Sequence, residues 1–206
     1  MFRILFGGAV ATAAACLFIS TTVAQSKDDE LQVYANTTTR GSTRVAYFGK
    51  SGGGELVVDY GQPVWKDEYQ KALDSKKFVN QRWRLGQDFW TNLDSNVDFK
   101  LNNVAIKAGY YYLTLELKKD GTYILGFHDP VAVRKAKLDA FLAPQYKAPA
   151  MFEVPLDYEK VSEPAKQLTF NLEVSEADQT QGTFSLQFGP HKLKGLLQMV
   201  LGHSGP

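Results

Sequence analysis

Apolar and polar residues alternate with a period of two through most of the chain after residue 55. The clearest runs are 56–60, 97–101, 111–117, 123–127, 168–174 and 184–188. Such alternation places one face of a β-strand in a core and the other toward solvent. Lys119-Asp120-Gly121 joins two of these runs and is a hairpin signal. With a further strand over 43–48, the pattern predicts about eight strands in an antiparallel β-sandwich of the jelly-roll kind.

Two stretches lack this alternation and are typical of short helices. They cover residues 66–75 and 131–142, and Pro144 follows the second as a stop signal. We therefore expect an all-β fold with one or two short helices.

The N-terminal segment has the features of an export signal. The first 24 residues carry one charge, Arg3, and a long, predominantly apolar run that ends in Thr22-Val23-Ala24. Small residues at this point predict cleavage of a signal peptide after Ala24, and hence a periplasmic or extracellular protein. The run 4–23 is also long enough to span a bilayer, so a retained membrane anchor is the alternative. Lipidation at Cys16 is a third interpretation.

The remaining chain divides into three parts by composition. Residues 25–42 are polar and predict a spacer, residues 43–202 hold the alternating runs and predict a single sandwich domain, and residues 203–206 predict a disordered tail. If the N-terminal run is retained, this domain would be held at a membrane; otherwise no membrane contact is expected.

Charge and cysteine content exclude several classes of function. The chain has 23 Lys plus Arg and 22 Asp plus Glu, so no basic excess favours nucleic acid as a partner. Its one cysteine, Cys16, lies in the N-terminal run, which leaves an exported domain without disulfides or a thiolate nucleophile. The three histidines, His128, His191 and His203, are not at metal-binding spacings. We expect no metal and no cofactor.

The segment 81–92 concentrates side chains that can recognise a ligand, with two Arg, two Trp, amides, a carboxylate and a hydroxyl. In an extended strand, Arg82 and Arg84 point to one side and Trp83 to the other. Gly86 permits a bend that returns the following residues toward the arginines. A guanidinium with nearby amide and hydroxyl groups suits a carboxylate, a phosphate or a sugar.

We predict a ligand-binding site in and around this segment. In it, Arg84 contacts an anion or hydroxyl, the tryptophan rings form a stacking surface and Tyr60 forms a wall. Its predicted residues are Arg84, Trp83, Gln87, Thr91, Trp90 and Tyr60. The alternative is an internal Arg84–Asp88 ion pair that pins a loop, with the tryptophans in the core.

Two features of the strands have both a structural and a functional interpretation. Tyr110 and Tyr112 lie on the nominally outward face of one strand, where a covering loop or helix is expected and a ligand surface is the alternative. His128 follows another strand, where a solvated strand end is expected and a metal or catalytic pair with Asp129 is the alternative.

Several motifs, taken in their order along the chain, resemble a known family. They lie at 59–63 (Asp-Tyr-Gly-Gln-Pro), 83–88 (Trp-Arg-Leu-Gly-Gln-Asp) with Thr91, 97–99, 106–113, 168–170 and 186–190. The set resembles the bacterial family called domain of unknown function 2911, over about residues 40–200. Gln62 and Leu85 depart from it, since Arg and Thr are usual there. The resemblance implies export but no particular reaction.

These observations favour an exported β-sandwich that binds a ligand and is not an enzyme. The ligand is expected to be small and polar, anionic or carbohydrate-like, or else a protein partner. One alternative is a membrane-anchored accessory subunit of a larger envelope complex. A second is a hydrolase that uses Asp88 or His128.

Overall fold

Antiparallel strands dominate the computed structural model, which describes residues 39–49 and 52–200. The strands are β1 (Arg40–Gly49), β2 (Gly52–Gly61), β3 (Arg82–Arg84), β4 (Asn92–Ser95), β5 (Phe99–Leu101), β6 (Val104–Ile106), β7 (Gly109–Leu117), β8 (Tyr123–His128), β9 (Phe152–Val174) and β10 (Gln181–Met199). The helices are α1 (Asp67–Asp74), α2 (Pro130–Lys135) and a 3₁₀ helix (Ala140–Gln145). The prediction of an all-β, antiparallel, sandwich-like fold is confirmed.

The strands join in one hydrogen-bonded path that folds over itself. Its order is β1-β2-β4-β7-β8-β9-β10-β5-β6, and β3 also pairs with β7. The second half of β9 crosses over β2, because the rings of Tyr60 and Phe170 lie 4.7 Å apart although these strands are not neighbours in the path. The chain after β2 also bonds to β9, since Trp65 N–H donates to the Lys166 carbonyl at 2.8 Å. Two layers therefore enclose a common core.

The core is built by the apolar faces of the alternating strands. The predicted runs supply its buried side chains: Leu56, Val58, Phe99, Leu101, Leu113, Leu125, Phe127, Phe170, Phe184 and Leu186. Their partners in alternation stay more exposed on β2 and β5, as at Val57 and Lys100. The predicted strand 97–101 begins two residues late, at Phe99. The Ser95 hydroxyl donates to the Val97 carbonyl at 2.7 Å and holds a bend there.

A second, smaller cluster covers the outward face of β7. It contains Trp90, Tyr112, Val133, Ala140, Ala143 and Tyr146. Tyr112 is therefore covered by helical segments, as expected, whereas Tyr110 keeps 41% of its surface exposed. Burial on both faces explains why β7 holds five consecutive buried residues, at 111–115.

The helix predictions hold in part. Helix α1 lies one residue inside each end of the predicted 66–75 stretch. The predicted helix 131–142 is instead divided: α2 ends at Lys135, Lys137 has φ 54°, and the 3₁₀ helix contains Pro144 rather than ending before it. This break lets both segments pack on the Trp90 cluster, since Val133 and Ala140 both belong to it.

Strand β1 begins at Arg40, so residues 40–42 of the predicted spacer pair with β2. The predicted signal peptide, the rest of the spacer up to residue 38 and the predicted tail lie outside the described residues. Within 39–49 and 52–200, neither α-helix has the length and apolar character required to cross a membrane.

Candidate functional site

The two arginines of β3 share one face of the sheet. Arg82 pairs with Glu116, Trp83 with Leu115, and Arg84 with Thr114 on β7. Because paired residues of neighbouring strands point to the same side, both arginines lie on the outward face and Trp83 on the core side. The predicted orientation of this segment is therefore correct.

The loop after β3 is held by close backbone contacts. Gly86 has φ 81°, and a Cβ at Gly61 would lie only 2.3 Å from the Gln87 carbonyl oxygen. Only glycine permits this approach. The fully buried Thr91 donates its hydroxyl to the Leu85 carbonyl at 2.6 Å, which closes the loop. Two motifs that are far apart in sequence thus meet at Gly61 and Gly86.

Arg40, on β1, is hydrogen-bonded to the same loop. Its Nε donates to Asp59 Oδ1 at 2.7 Å, and its Nη2 donates to the Trp90 carbonyl at 3.2 Å. Arg40 lies in the predicted spacer, so its role here was not predicted from the sequence. Asp59, a carboxylate on the outward face of a predicted strand, was the available signal for a basic partner.

Arg84 has few partners for a partly buried cation. Its Nη1 contacts the main-chain carbonyl of Asp88 at 3.4 Å, and no carboxylate of the described residues forms an ion pair with it. Burial lowers the pKa of the Arg84 guanidinium, while the nearby charge of Asp88 and the Tyr69 hydroxyl oppose that effect. The alternative of an Arg84–Asp88 ion pair is therefore not realised.

The other arginines of the described chain have more or shorter contacts, although Nη1 of Arg40 is buried without a hydrogen-bond partner among the described residues. Arg40 and Arg44 each have a carboxylate partner, in Asp59 and Glu55 respectively. Arg82 bonds to two main-chain carbonyls, of Tyr146 and Ala148. Arg134 donates to the Tyr112 hydroxyl at 3.0 Å.

Three of the six predicted site residues are buried, so they do not line a surface. Trp90 stacks on Tyr112 with ring centroids 5.1 Å apart, and Tyr60 packs in the core against Phe170. Thr91 is a structural residue of the loop. Trp90 is covered by the 3₁₀ helix, which local alternation does not report, whereas Tyr60 lies on the core face of the alternating run 56–60 and is covered by β9.

The remaining three stay accessible in part. Arg84 and Gln87 are partly exposed, and Trp83 packs edge-on against Phe78 at 4.1 Å. Arg82, which was not among the predicted site residues, lines a cavity of about 350 Å³ together with Glu116, Tyr146 and Lys147. The structure thus leaves Arg84 and Gln87 partly accessible but buries Tyr60 and Trp90.

His128 is buried, so the expectation of a solvated strand end is wrong. Only 1% of its surface is exposed, and its Nε2 lies 2.9 Å from the Thr114 hydroxyl under the ring of Tyr146. Burial, and secondarily the charge of Arg82, lowers the His128 pKa to about 4. Alternation could not reveal this, because the covering residue follows His128 by 18 positions.

The two residues named for a hydrolase are not joined in the structure. Asp88 is exposed on the loop with φ 62°, whereas His128 is enclosed, and no hydrogen bond links them among the described residues. Over the same part of the chain, no three His, Cys, Asp or Glu side chains are grouped to hold a metal ion.

No family model, no curated protein and no solved structure matches this chain. The resemblance to the domain of unknown function 2911 family therefore stays a prediction. What the geometry defines is an all-β, sandwich-like protein with a glycine-closed loop beside a poorly satisfied arginine.

Proposed function

We propose that the protein is an exported binding module in which Arg84 receives the anionic group of a small polar ligand. The observation that carries the proposal is the state of Arg84: a partly buried guanidinium whose single hydrogen bond within the described residues is a long contact with a carbonyl. The rigid loop at 85–91 provides the adjoining surface.

The Arg84 guanidinium has unused hydrogen-bonding capacity. A guanidinium has five N–H donors in a planar fork, and a carboxylate or phosphate can accept two of them in parallel. Arg84 has lost part of its hydration, and within the described residues the nearby Asp88 carboxylate does not form an ion pair with it. A bound carboxylate or phosphate would supply the missing acceptor, and its pairing with Arg84 would be strengthened by the reduced hydration.

Neighbouring side chains restrict which anion fits. Asp88 lies on the same loop and is exposed, so a second negative charge on the ligand would be repelled there. Gln87 offers an amide that can donate and accept. These groups favour a ligand with one acidic group and several hydroxyls, such as a sugar acid, over an inorganic polyanion.

The test compares three variants by isothermal titration calorimetry with glucuronate, acetate and inorganic phosphate as probes. Arg84→Ala should weaken glucuronate binding at least about tenfold, because a hydrogen-bonded charge pair is lost. Arg84→Lys should recover part of the affinity. Arg44→Ala is the matched control, since Arg44 is an exposed arginine with its own partner, Glu55.

Measurements of stability distinguish a ligand-binding role of Arg84 from a structural role. Arg84→Ala should change the free energy of unfolding by at most about 1 kcal/mol, as for other exposed or weakly paired charges. A large fall in melting temperature, with none of the probes bound by the unmodified protein, would show that Arg84 is a structural residue. Equal affinity in Arg84→Ala and the unmodified protein would likewise contradict the proposal.

Export and family membership are part of the same proposal. The apolar run ending in Thr22-Val23-Ala24 supports cleavage, and the ordered motifs at 59–63 and 83–88 are the basis of the domain of unknown function 2911 assignment. Intact mass of protein recovered from the cell envelope should correspond to a chain that begins at Gln25. A mature chain that begins at Met1 would favour the anchored accessory subunit instead.

A further inference from the structure

A second cavity, of about 590 Å³, lies between the β5–β6 turn, the β7–β8 turn and strand β9. Its volume is in the range of small-molecule sites. Its polar and aromatic lining includes Asn103, Asp120, Thr122, Asp157 and Tyr158. None of these residues takes part in the Arg84 site proposed above, so the cavity requires a separate explanation.

The lining of the cavity selects a ligand that donates hydrogen bonds. Asp120 and Asp157 are carboxylates and only accept, and no Lys or Arg side chain of the described residues lines the cavity. Lys194 pairs with Asp157 across the strands but bonds to Glu159 at 3.2 Å, which leaves Asp157 without an ion pair in the described chain. An anionic ligand would be repelled.

Both turns that border the cavity are held in place before any ligand arrives. The Asn102 side chain donates to the Pro155 carbonyl at 2.8 Å and accepts from the Leu196 N–H at 2.7 Å. Asp120 accepts from the Thr122 N–H at 3.0 Å. Such pre-organisation reduces the conformational entropy that is lost on binding.

Tyr158 is exposed but fixed in orientation. It keeps 46% of its surface accessible, yet its ring lies 5.5 Å from Tyr123 and 5.8 Å from His191 in a nearly parallel series. Its hydroxyl lies 2.9 Å from His191 Nδ1. Asp157 and Tyr158 are consecutive residues of β9, so their side chains point to opposite faces of the strand. The fixed Tyr158 ring therefore borders the cavity from the side opposite to the Asp157 carboxylate.

We propose that this cavity binds an uncharged, hydroxyl-rich ligand of the sugar class. Hydroxyls would donate to Asp120 and Asp157, Asn103 would accept or donate, and the exposed Leu196 would provide the apolar contact. A metal ion is a poorer match, because the described residues contain no group of three metal-ligating side chains.

The experiment is a titration of the ¹⁵N-labelled full chain with glucose, N-acetylglucosamine and cellobiose, followed by amide chemical shifts. Putrescine and Ca²⁺ are added in separate titrations. Saturable shifts should appear with at least one sugar at residues 102–103, 120–122 and 155–158. Asp157→Asn should weaken that binding about tenfold, because a hydrogen bond to a charged acceptor becomes a neutral one.

Asn103→Gly provides a second variant with an intact backbone. Asn103 has φ 66°, a conformation that glycine adopts freely, so the change removes the amide without strain. It should weaken sugar binding severalfold. Asp67→Asn is the control, as an exposed carboxylate on α1, and it should leave sugar binding unchanged.

The outcomes separate the two proposals. Sugar-dependent shifts at the cavity that are lost in Asp157→Asn support a hydroxyl ligand, whatever happens at Arg84. Shifts caused only by putrescine or only by Ca²⁺ would overturn the sugar class. Absence of any shift, or sugar binding equal in Asp157→Asn, Asn103→Gly and the unmodified protein, would overturn the site.

Discussion

Acidification between pH 6.5 and pH 4 should destabilise the folded protein through the buried imidazole of His128. The groups that surround it are the Thr114 hydroxyl on β7, the Tyr146 ring on the 3₁₀ helix and the Arg82 guanidinium on β3. None of them is an anion that would favour the charged imidazolium. Burial and Arg82 therefore lower the His128 pKa from 6.5 to about 4.

The direction and size of the effect follow from proton linkage. Between these two pKa values the unfolded chain binds a proton that the folded chain does not, so the free energy of unfolding falls as pH falls. Each pKa unit corresponds to about 1.4 kcal/mol. The loss should reach about 2 kcal/mol at pH 5 and about 3 kcal/mol below pH 4.

The assay is urea unfolding monitored by tryptophan fluorescence at pH 7, 6 and 5. The variant His128→Gln keeps a polar group near Thr114 but does not titrate, so it should lose about 2 kcal/mol less than the unmodified protein between pH 7 and pH 5. His191→Gln measures the separate contribution of His191, because burial also lowers the pKa of His191. If His128→Gln and the unmodified protein lose the same stability, the buried-imidazole argument is wrong.

Asp98 and Asp120 affect the stability of the fold at a lower pH than His128 does. Hydrogen bonds from Lys107 and from the Ala108 N–H lower the pKa of Asp98 below its usual 3.8, and that of Asp120 is lowered mainly by the Thr122 N–H. Their stabilisation is present above pH 3.8 and is lost only as pH falls further. These two carboxylates therefore contribute little to the change in stability between pH 7 and pH 5.

Two further predictions concern packing. Gly189→Ala should lower the melting temperature much more than Gly121→Ala. Both positions have positive φ, but a Cβ at Gly189 would lie 2.3 Å from the Trp65 ring, whereas at Gly121 no atom of the described residues lies within 4 Å. An equal fall in melting temperature for the two variants would mean that backbone strain alone, without the contact to Trp65, causes the loss of stability. Leu113→Ala, at a fully buried position, should reduce the free energy of unfolding by about 2–5 kcal/mol in urea titrations, while the exposed Leu196→Ala should change it little.

Much of the sheet could be predicted from the sequence, because alternation is a local property of an extended chain. Leu56, Val58 and Leu113 are buried where a period of two places them. The hairpin at 119–121 and helix α1 also follow from nearby residues alone. The same local rule correctly places Arg82 and Arg84 on one face of β3.

The site could be predicted only in part, because it depends on contacts between distant segments. The chemistry of Arg84 and Gln87 was visible in the sequence. The partners of each arginine could not be predicted from the sequence. The carboxylate partner of Arg40 lies 19 residues away, and the carbonyl partners of Arg82 lie 64 and 66 residues away.

Tertiary structure alone decided what covers the outward face of the sheet. The segment after β8 breaks at Lys137 and folds back, so Tyr112 and His128 are buried although their strands alternate. Trp90 became a core residue for the same reason, whereas Tyr60 is buried against Phe170 of β9. A residue's position in a strand determines the face to which its side chain points, whereas burial depends on whether another part of the chain packs over that face.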